Sequence, residues 1–391
     1  IDQSLRANGS GHLTRTPSSS GNRRTWTFSA WVKLGVDGVR FPLIEAYSNG
    51  TNFTMVVIHT DGRIQFYTVT SAVDYGGLTT QKLRDPSAWY HIVFRFDSTQ
   101  STAADRSRLY VNGTQQETNP WTSSGQMPQN YDSFINHTVA NNILKNTNSS
   151  QYGQGYIAEV HHADGASYGP ETFGETKNGV WVPKEVSGVS YGTNGFYLNF
   201  ADSSDIGNNV NSIDGTNDFT VNNFTAIDVV PDSPTKNFAT LIPMTNIALS
   251  EGNLKMTTSR TGKWDGTIGS FGVTSGKWYY EVRPTVTTDS TFRCVAGWQG
   301  NQASQTVTYN GKGASGSPYG TLTDNYLVNV FTTSFYKDGG TDGTMTAASS
   351  GDVINVAADF DNGKIYFGIN GTYYANDGGT DGNPGAGTNE S

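Results

Sequence analysis

The chain has 391 residues, a net charge of −9, and 46 glycines, 20 tyrosines, 19 phenylalanines and 8 tryptophans against 5 methionines. That length supports two or three domains with their own cores, and the aromatic, glycine-rich mix favours strands and tight turns over helices. The acidic balance argues against nucleic acid as a partner, the lone Cys294 excludes an internal disulfide framework, and no apolar run is long enough to span a membrane.

Along the chain, the first strand signal is the period-two set Trp26, Phe28, Ala30 and Val32. The segment 89–96 repeats it, with Tyr90, Ile92, Phe94 and Phe96 on one face and His91 and Arg95 on the other, as in a strand with one buried side. Turn signals that tolerate positive φ follow such runs, at Asp61-Gly62, Asn112-Gly113, Asp361-Asn362-Gly363 and Asn370-Gly371. Between about Gly165 and Lys236 the chain is rich in Gly, Asn, Asp, Ser and Pro, with one strand signal at 196–200. Pro231 and Pro234 lack amide donors, so a domain break is expected around them. Alternation returns at Trp278, Tyr280 and Val282, and again at Ile354, Val356, Ala358 and Phe360.

No dozen-residue stretch carries helical periodicity with caps. The predicted fold is all-β, two antiparallel β-sandwiches in tandem: residues 1–166, a Gly/Asn-rich connector at 167–235, and a second sandwich at 236–391. The second lacks an obvious strand after Tyr374, which leaves an edge for a neighbour or further chain to cover.

Catalytic constellations are not found. A sandwich glycosidase places carboxylates at alternate positions of one strand, as in Glu-x-Asp-x-x-Glu, and no such string occurs. Glu159 has Ile157 and His161 as expected same-face neighbours, and Glu281 has Tyr279. His161 and His162 are adjacent and should point to opposite faces, so they cannot share a metal. The glycine string 311–316 has no helix after it to hold a pyrophosphate, and Gly272 to Trp278 falls one residue short of a P-loop. The hexapeptide Asp-Gly-Gly-Thr-Asp-Gly occurs at 338–343 and 377–382. Asp338, Asp342, Asp377 and Asp381 could offer calcium oxygens, the alternative being ordinary Asp-Gly turns. No other cofactor is expected.

Binding remains. Sugars offer apolar faces to aromatic rings and hydroxyls to amides and carboxylates. Trp121 with Tyr131, Asp132 and Asn136 makes such a mixture in the first domain, and Trp298, Gln299, Asn301 and Tyr309 make another in the second. Trp31, Trp89 and Trp278 are read as core or strand residues.

The strings RTWTFSAWVKLG (24–35), WYHIVFRFD (89–97), RLYVNG (108–113) and GYIAEVHHADGA (155–166) resemble, in order, strands of a laminin-G-like, concanavalin A-like sandwich. SGKWYYEVRP (275–284), FRCVAGW (292–298) and GDVINVAADFDNGKIYFGING (351–371) resemble a SPRY domain. With GVWVPK (179–184), YGTNGFYLNFAD (191–202) and DSPTKNFATLIP (232–243), the whole is similar to marine bacteriophage proteins that join these two modules. The resemblance implies a non-enzymatic virion-surface protein, in a tail fibre or other appendage, that recognises host glycans or envelope receptors. Other virion proteins and further copies of the chain are implied as partners. Capsid decoration and glycan depolymerisation are the alternatives.

Overall fold

A computed structural model describes the chain outside residues 36–37, 121–124, 212–216, 245–246, 258–262, 265, 286–294, 301–311, 314–324, 330–333, 338–339, 377–378 and 389. It divides into two compact units, one from 1–243, 248–257 and 268–270, the other from 244–247, 258–267 and 271–391. Among the described residues the only helical elements are 3-10 turns, as at Pro170–Thr172, and no helix is long and apolar enough to cross a membrane. The all-β expectation holds.

The first unit is built on two antiparallel sheets of eight strands each, with two-stranded hairpins beside them. The centre of the first sheet runs Trp89–Asp97, Thr25–Leu34, Gln154–Asp164, Ser4–Asn8; the centre of the second runs Ile64–Thr70, Asn52–Ile58, Phe41–Asn49, Ala140–Ile143, His12–Arg15. Period-two alternation decides what lies between them. Trp26, Phe28, Ile92, Phe94 and Phe96 from the first sheet share one core with Phe41, Val56, Ile58 and Phe66 from the second. Phe66 stacks on Phe94 at 4.6 Å across the gap. Each such side chain contributes about 1.5–3 kcal/mol through burial.

Two sequence expectations change here. The alternation placed Ile157, Glu159 and His161 on one face, but the register slips between Ala158 and His161, and Glu159 takes φ 49°. This bulge inserts a residue, so Ile157 and Val160 both enter the core while His161 turns outward and His162 packs at a tilt against Trp26 and Phe196. The stretch expected as a connector is instead woven into both sheets. Phe196–Leu198 pairs with Gln154–Asp164, Val229–Val230 with Ser4–Asn8, and Thr220–Asn222 with His12–Arg15. Its Phe173, Trp181, Tyr191 and Tyr197 contact His91 and His161 on the outer side of the first sheet. Gly and Asn residues within it read as loop because its strands are only two to four residues long.

The second unit contains two four-stranded antiparallel sheets. One orders Lys277–Val282, Ile354–Asp359, Lys364–Ile369, Thr372–Tyr374; the other Val295–Gln299, Asn325–Asn329, Ser334–Lys337, Gly340–Thr344. Ile354, Val356, Ala358 and Phe367 from one meet Ala296, Val328 and Phe335 from the other, with Phe335 stacked on Phe367 at 5.4 Å. The edge expected to be bare beyond Tyr374 is engaged by the chain itself. Ser391 donates its amide to Ile365 O at 3.1 Å, Phe367 N donates to Ser391 Oγ at 3.0 Å, and Lys364 Nζ pairs with Glu390. Trp278 lies on its strand but is 40% exposed.

Candidate functional site

Two places in the first unit gather polar groups against aromatic ones. The first lies on the outer side of the first sheet, where Ser29 Oγ is 2.8 Å from His91 Nε2. This pair has the look of a nucleophile and its base, and hydrogen bonding decides against it. The indole of Trp181 donates to His91 Nδ1 at 3.0 Å. An indole can only donate, so Nδ1 carries the lone pair and Nε2 the proton, which it gives to Ser29. A base whose lone pair is already taken cannot accept the serine proton. Burial pushes the His91 pKa down to about 3, with His161 adding repulsion. Glu159 accepts from Tyr197 OH at 2.7 Å, and His161 meets Tyr191 OH at 2.7 Å while stacking on Tyr197 at 4.2 Å. The gap lined by Ser29, His91, Glu159, His161 and Phe173 has no room for a water-sized molecule. This is a packing interface between the sheet and its covering segment.

The second place is the outer face of the second sheet. The strands Asn52–Ile58 and Ile64–Thr70 pair so that Met55 lies opposite Tyr67 and Val57 opposite Gln65. Alternation sends Phe53, Met55 and Val57 outward, where they cluster with Val69, Tyr47 and Tyr67 apart from the main core. The hairpin of Lys145–Asn146 and Gln151–Tyr152 brings Asn146, Asn148 and Ser149 to this face, where Asn146 Nδ2 meets Met55 Sδ at 3.6 Å. Between them is a cleft of about 180 Å³ lined by Arg40, Phe53, Met55, Gln65, Tyr67, Asn146, Asn148 and Ser149.

Three features give the cleft its chemistry. Tyr67 and Phe53 present rings 5.5 Å apart, and burial with the nearby Asp74 carboxylate raises the Tyr67 pKa, keeping its hydroxyl protonated. Arg40 is the one charged group among the described lining residues. Gln65, 2% exposed, holds its Oε1 buried with no hydrogen-bond partner among the described residues. An unpartnered buried amide oxygen costs about 1–3 kcal/mol.

The residues singled out from sequence fall elsewhere. Tyr131 is buried inside the sandwich, its hydroxyl 3.0 Å from Thr68 and 2.7 Å from Thr70. Asn136, at φ 65° and 2% exposed, donates to Asn22 O and to Asp164 and faces His162 Nε2 at 2.8 Å, tying loops together. Asp132 is solvent-facing and paired with Arg24 at 2.8 Å. Trp298, partly buried, packs between Tyr280 at 5.4 Å and Phe360 at 5.1 Å against the core of the second unit, and Gln299 follows it on the same strand. Asp342 and Asp381 are exposed. Trp121, Asn301, Tyr309, Asp338, Asp377, Cys294 and most of the 311–316 string lie outside the described residues. No cluster of three or more His, Cys, Asp or Glu able to hold a metal occurs among the described residues.

The second-sheet cleft is built from strand faces and a hairpin rather than from the aromatic, amide-rich loops that the sequence brings forward. The available signal was Phe53, Met55 and Val57 alternating with an equally apolar inner face, which marks a strand covered on both sides.

The family model described as the concanavalin A-like lectin/glucanases superfamily matches residues 8–167, less than half of the chain. No curated protein sequence matches it. Among solved structures, a heptameric SAP-like pentraxin from Limulus polyphemus aligns at 13% identity over 48% of this chain and 94% of its own, with a TM-score of 0.31. Domain 4 of AbnA, an extracellular arabinanase from Geobacillus stearothermophilus, in complex with arabinotriose, aligns at 20% identity over 38% of this chain and 64% of its own, TM-score 0.30. The CBM40 of an IT-sialidase from Ruminococcus gnavus, bound to α2,3-sialyllactose, aligns at 13% identity over 37% and 85%, TM-score 0.27. At these scores the likenesses say nothing about a ligand. Residues 8–167 carry a concanavalin A-like lectin/glucanase domain.

Proposed function

We propose that the first unit binds glycans without cleaving them, at the cleft of Arg40, Gln65 and Tyr67. The observation that carries this reading is the lining of the cleft, where the Phe53 and Tyr67 rings lie beside the Arg40 guanidinium and the Gln65 and Asn146 carboxamides: a sugar brings hydroxyls together with an apolar face. Arg40, with no carboxylate among the described lining residues, favours sugars bearing an acidic group. Absence of cleavage is supported by the same lining, since acid–base hydrolysis of a glycosidic bond normally needs a pair of carboxylates. The wider reading is a virion-surface protein, its second unit SPRY-like, that recognises host glycans or envelope receptors. It rests on the resemblance of the 179–184, 191–202 and 232–243 strings.

A glycan array probed with the full chain, followed by titration of the best ligand, tests both binding and place. Arg40→Ala and Tyr67→Ala are expected to weaken binding about tenfold each, on the order of 1.4 kcal/mol. Binding unchanged in both variants, or release of shorter oligosaccharides from the ligand, contradicts the proposal.

A further inference from the structure

Lys33 closes the central strand Thr25–Leu34 with its side chain fully buried. Its Nζ lies 2.8 Å from Asp232 Oδ2, 2.8 Å from Asn237 Oδ1 and 2.6 Å from Phe238 O, and 5.5 Å from the centre of the Tyr156 ring. Asp232 is itself 5% exposed, and its other oxygen accepts from Trp89 Nε1 at 3.0 Å. Asn237 is exposed, and its Nδ2 donates to Ser87 O at 2.8 Å. An amine, a carboxylate and a carboxamide therefore meet against two aromatic side chains, at the point where the segment leaving the sandwich crosses the end of its central strand.

A buried ammonium needs a carboxylate for charge balance, and Asp232 supplies it. The carboxamide adds something a salt bridge does not require: an electrophilic carbon whose oxygen is already in hydrogen-bond contact with the amine. Held contact of this kind replaces a slow bimolecular amide exchange by an intramolecular one. Burial lowers the Lys33 pKa against the opposing pull of Asp232, which favours the free-amine form that attack requires.

The geometry points to an isopeptide bond between Lys33 Nζ and Asn237 Cγ, formed within the folded first unit with Asp232 as proton carrier. The Lys33 ammonium gives one proton to Asp232, and the free amine attacks Cγ. The Nζ–Cγ bond forms and the Cγ–Nδ2 bond breaks, while Nζ passes a second proton to the departing nitrogen. The ammonia released takes the proton held by Asp232 and leaves as ammonium through the exposed side of Asn237. No oxidant or cofactor enters the balance. The product joins positions 204 residues apart, in a chain whose single cysteine cannot form an internal disulfide.

The test is the intact mass of the purified full chain under denaturing conditions, with peptide mapping. The expected mass is below the sequence mass by one ammonia, about 17 Da, with a branched peptide joining Lys33 to Asn237. Lys33→Arg and Asn237→Ala should both restore the full mass. Asp232→Asn should leave the peptides linear because the proton carrier is gone. A loss of water with a Lys33–Asp232 branch overturns the assignment of Asn237. An unmodified mass with linear peptides in the wild-type chain overturns the proposal whatever the variants do.

Discussion

Gln65 carries the cost of a buried oxygen with no partner among the described residues, and that cost can be removed without disturbing shape. Gln65→Leu is expected to raise stability by about 1 kcal/mol and to lower glycan affinity about tenfold. Urea unfolding and calorimetric titration would check the two halves, and a loss of both together would mean that the side chain is structural only. At His91 and His162 burial sets the sign of a pH effect. Both are pushed to about 3, against about 6.5 in an unfolded chain. The unfolded chain therefore takes up protons that the folded one refuses. Stability is complete above about pH 6.5 and falls as pH drops toward 3, by up to about 1.4 kcal/mol per pH unit for each imidazole. Burial also raises Glu45 and Asp164, which act in the opposite sense nearer the carboxylate range, so the imidazole effect is read between pH 6.5 and 5. Urea midpoints at pH 7 and 5 should differ; equal midpoints would show that these rings are not buried neutral. None of this was legible at residue level from sequence. Tyr131 and Asn136 have a sugar-binding composition, but whether an amide or hydroxyl is free depends on partners far along the chain, such as Asp164 for Asn136.

The strands were the legible elements, because alternation over Trp89–Asp97 and Thr25–Leu34 fixes which side chains face inward. The bulge at Glu159 was not, since a one-residue insertion leaves no compositional mark. Glu159 sits at φ 49°, a conformation in which a non-glycine residue is penalised by about 1 kcal/mol. Glu159→Gly and Glu159→Ala both lose the bond from Tyr197, but only the first relieves the backbone. The glycine variant should be the more stable by about that amount in urea unfolding. Equal losses would place the strain elsewhere. The segment 167–235 was read as a connector because its strands are short, yet it contributes strands to both sheets. A chain cut at residue 166 would lose Trp181, Phe173 and Tyr197 from His91 and His161. It is expected to aggregate or to bind a hydrophobic dye, whereas a chain cut at residue 270 stays monodisperse by size-exclusion chromatography. A well-behaved 1–166 chain would contradict the integrated fold.

For the whole molecule, composition alone delimited the class: many aromatics, few charges and one cysteine imply packed sheets rather than a disulfide scaffold. What composition could not reveal is that the cleft proposed to bind glycans lies on a sheet face rather than at loop tips. The outer residues of the second sheet are polar and apolar by turns, and the hairpin at 145–152 converts them into a cleft. Hydrogen–deuterium exchange of the full chain, with and without its best glycan from the array, tests this most directly. Protection concentrated in Asn52–Ile58, Ile64–Thr70 and the 145–152 hairpin is the expected result. Protection confined to the loops around Asp132 or to the second unit, with those strands unchanged, would contradict it.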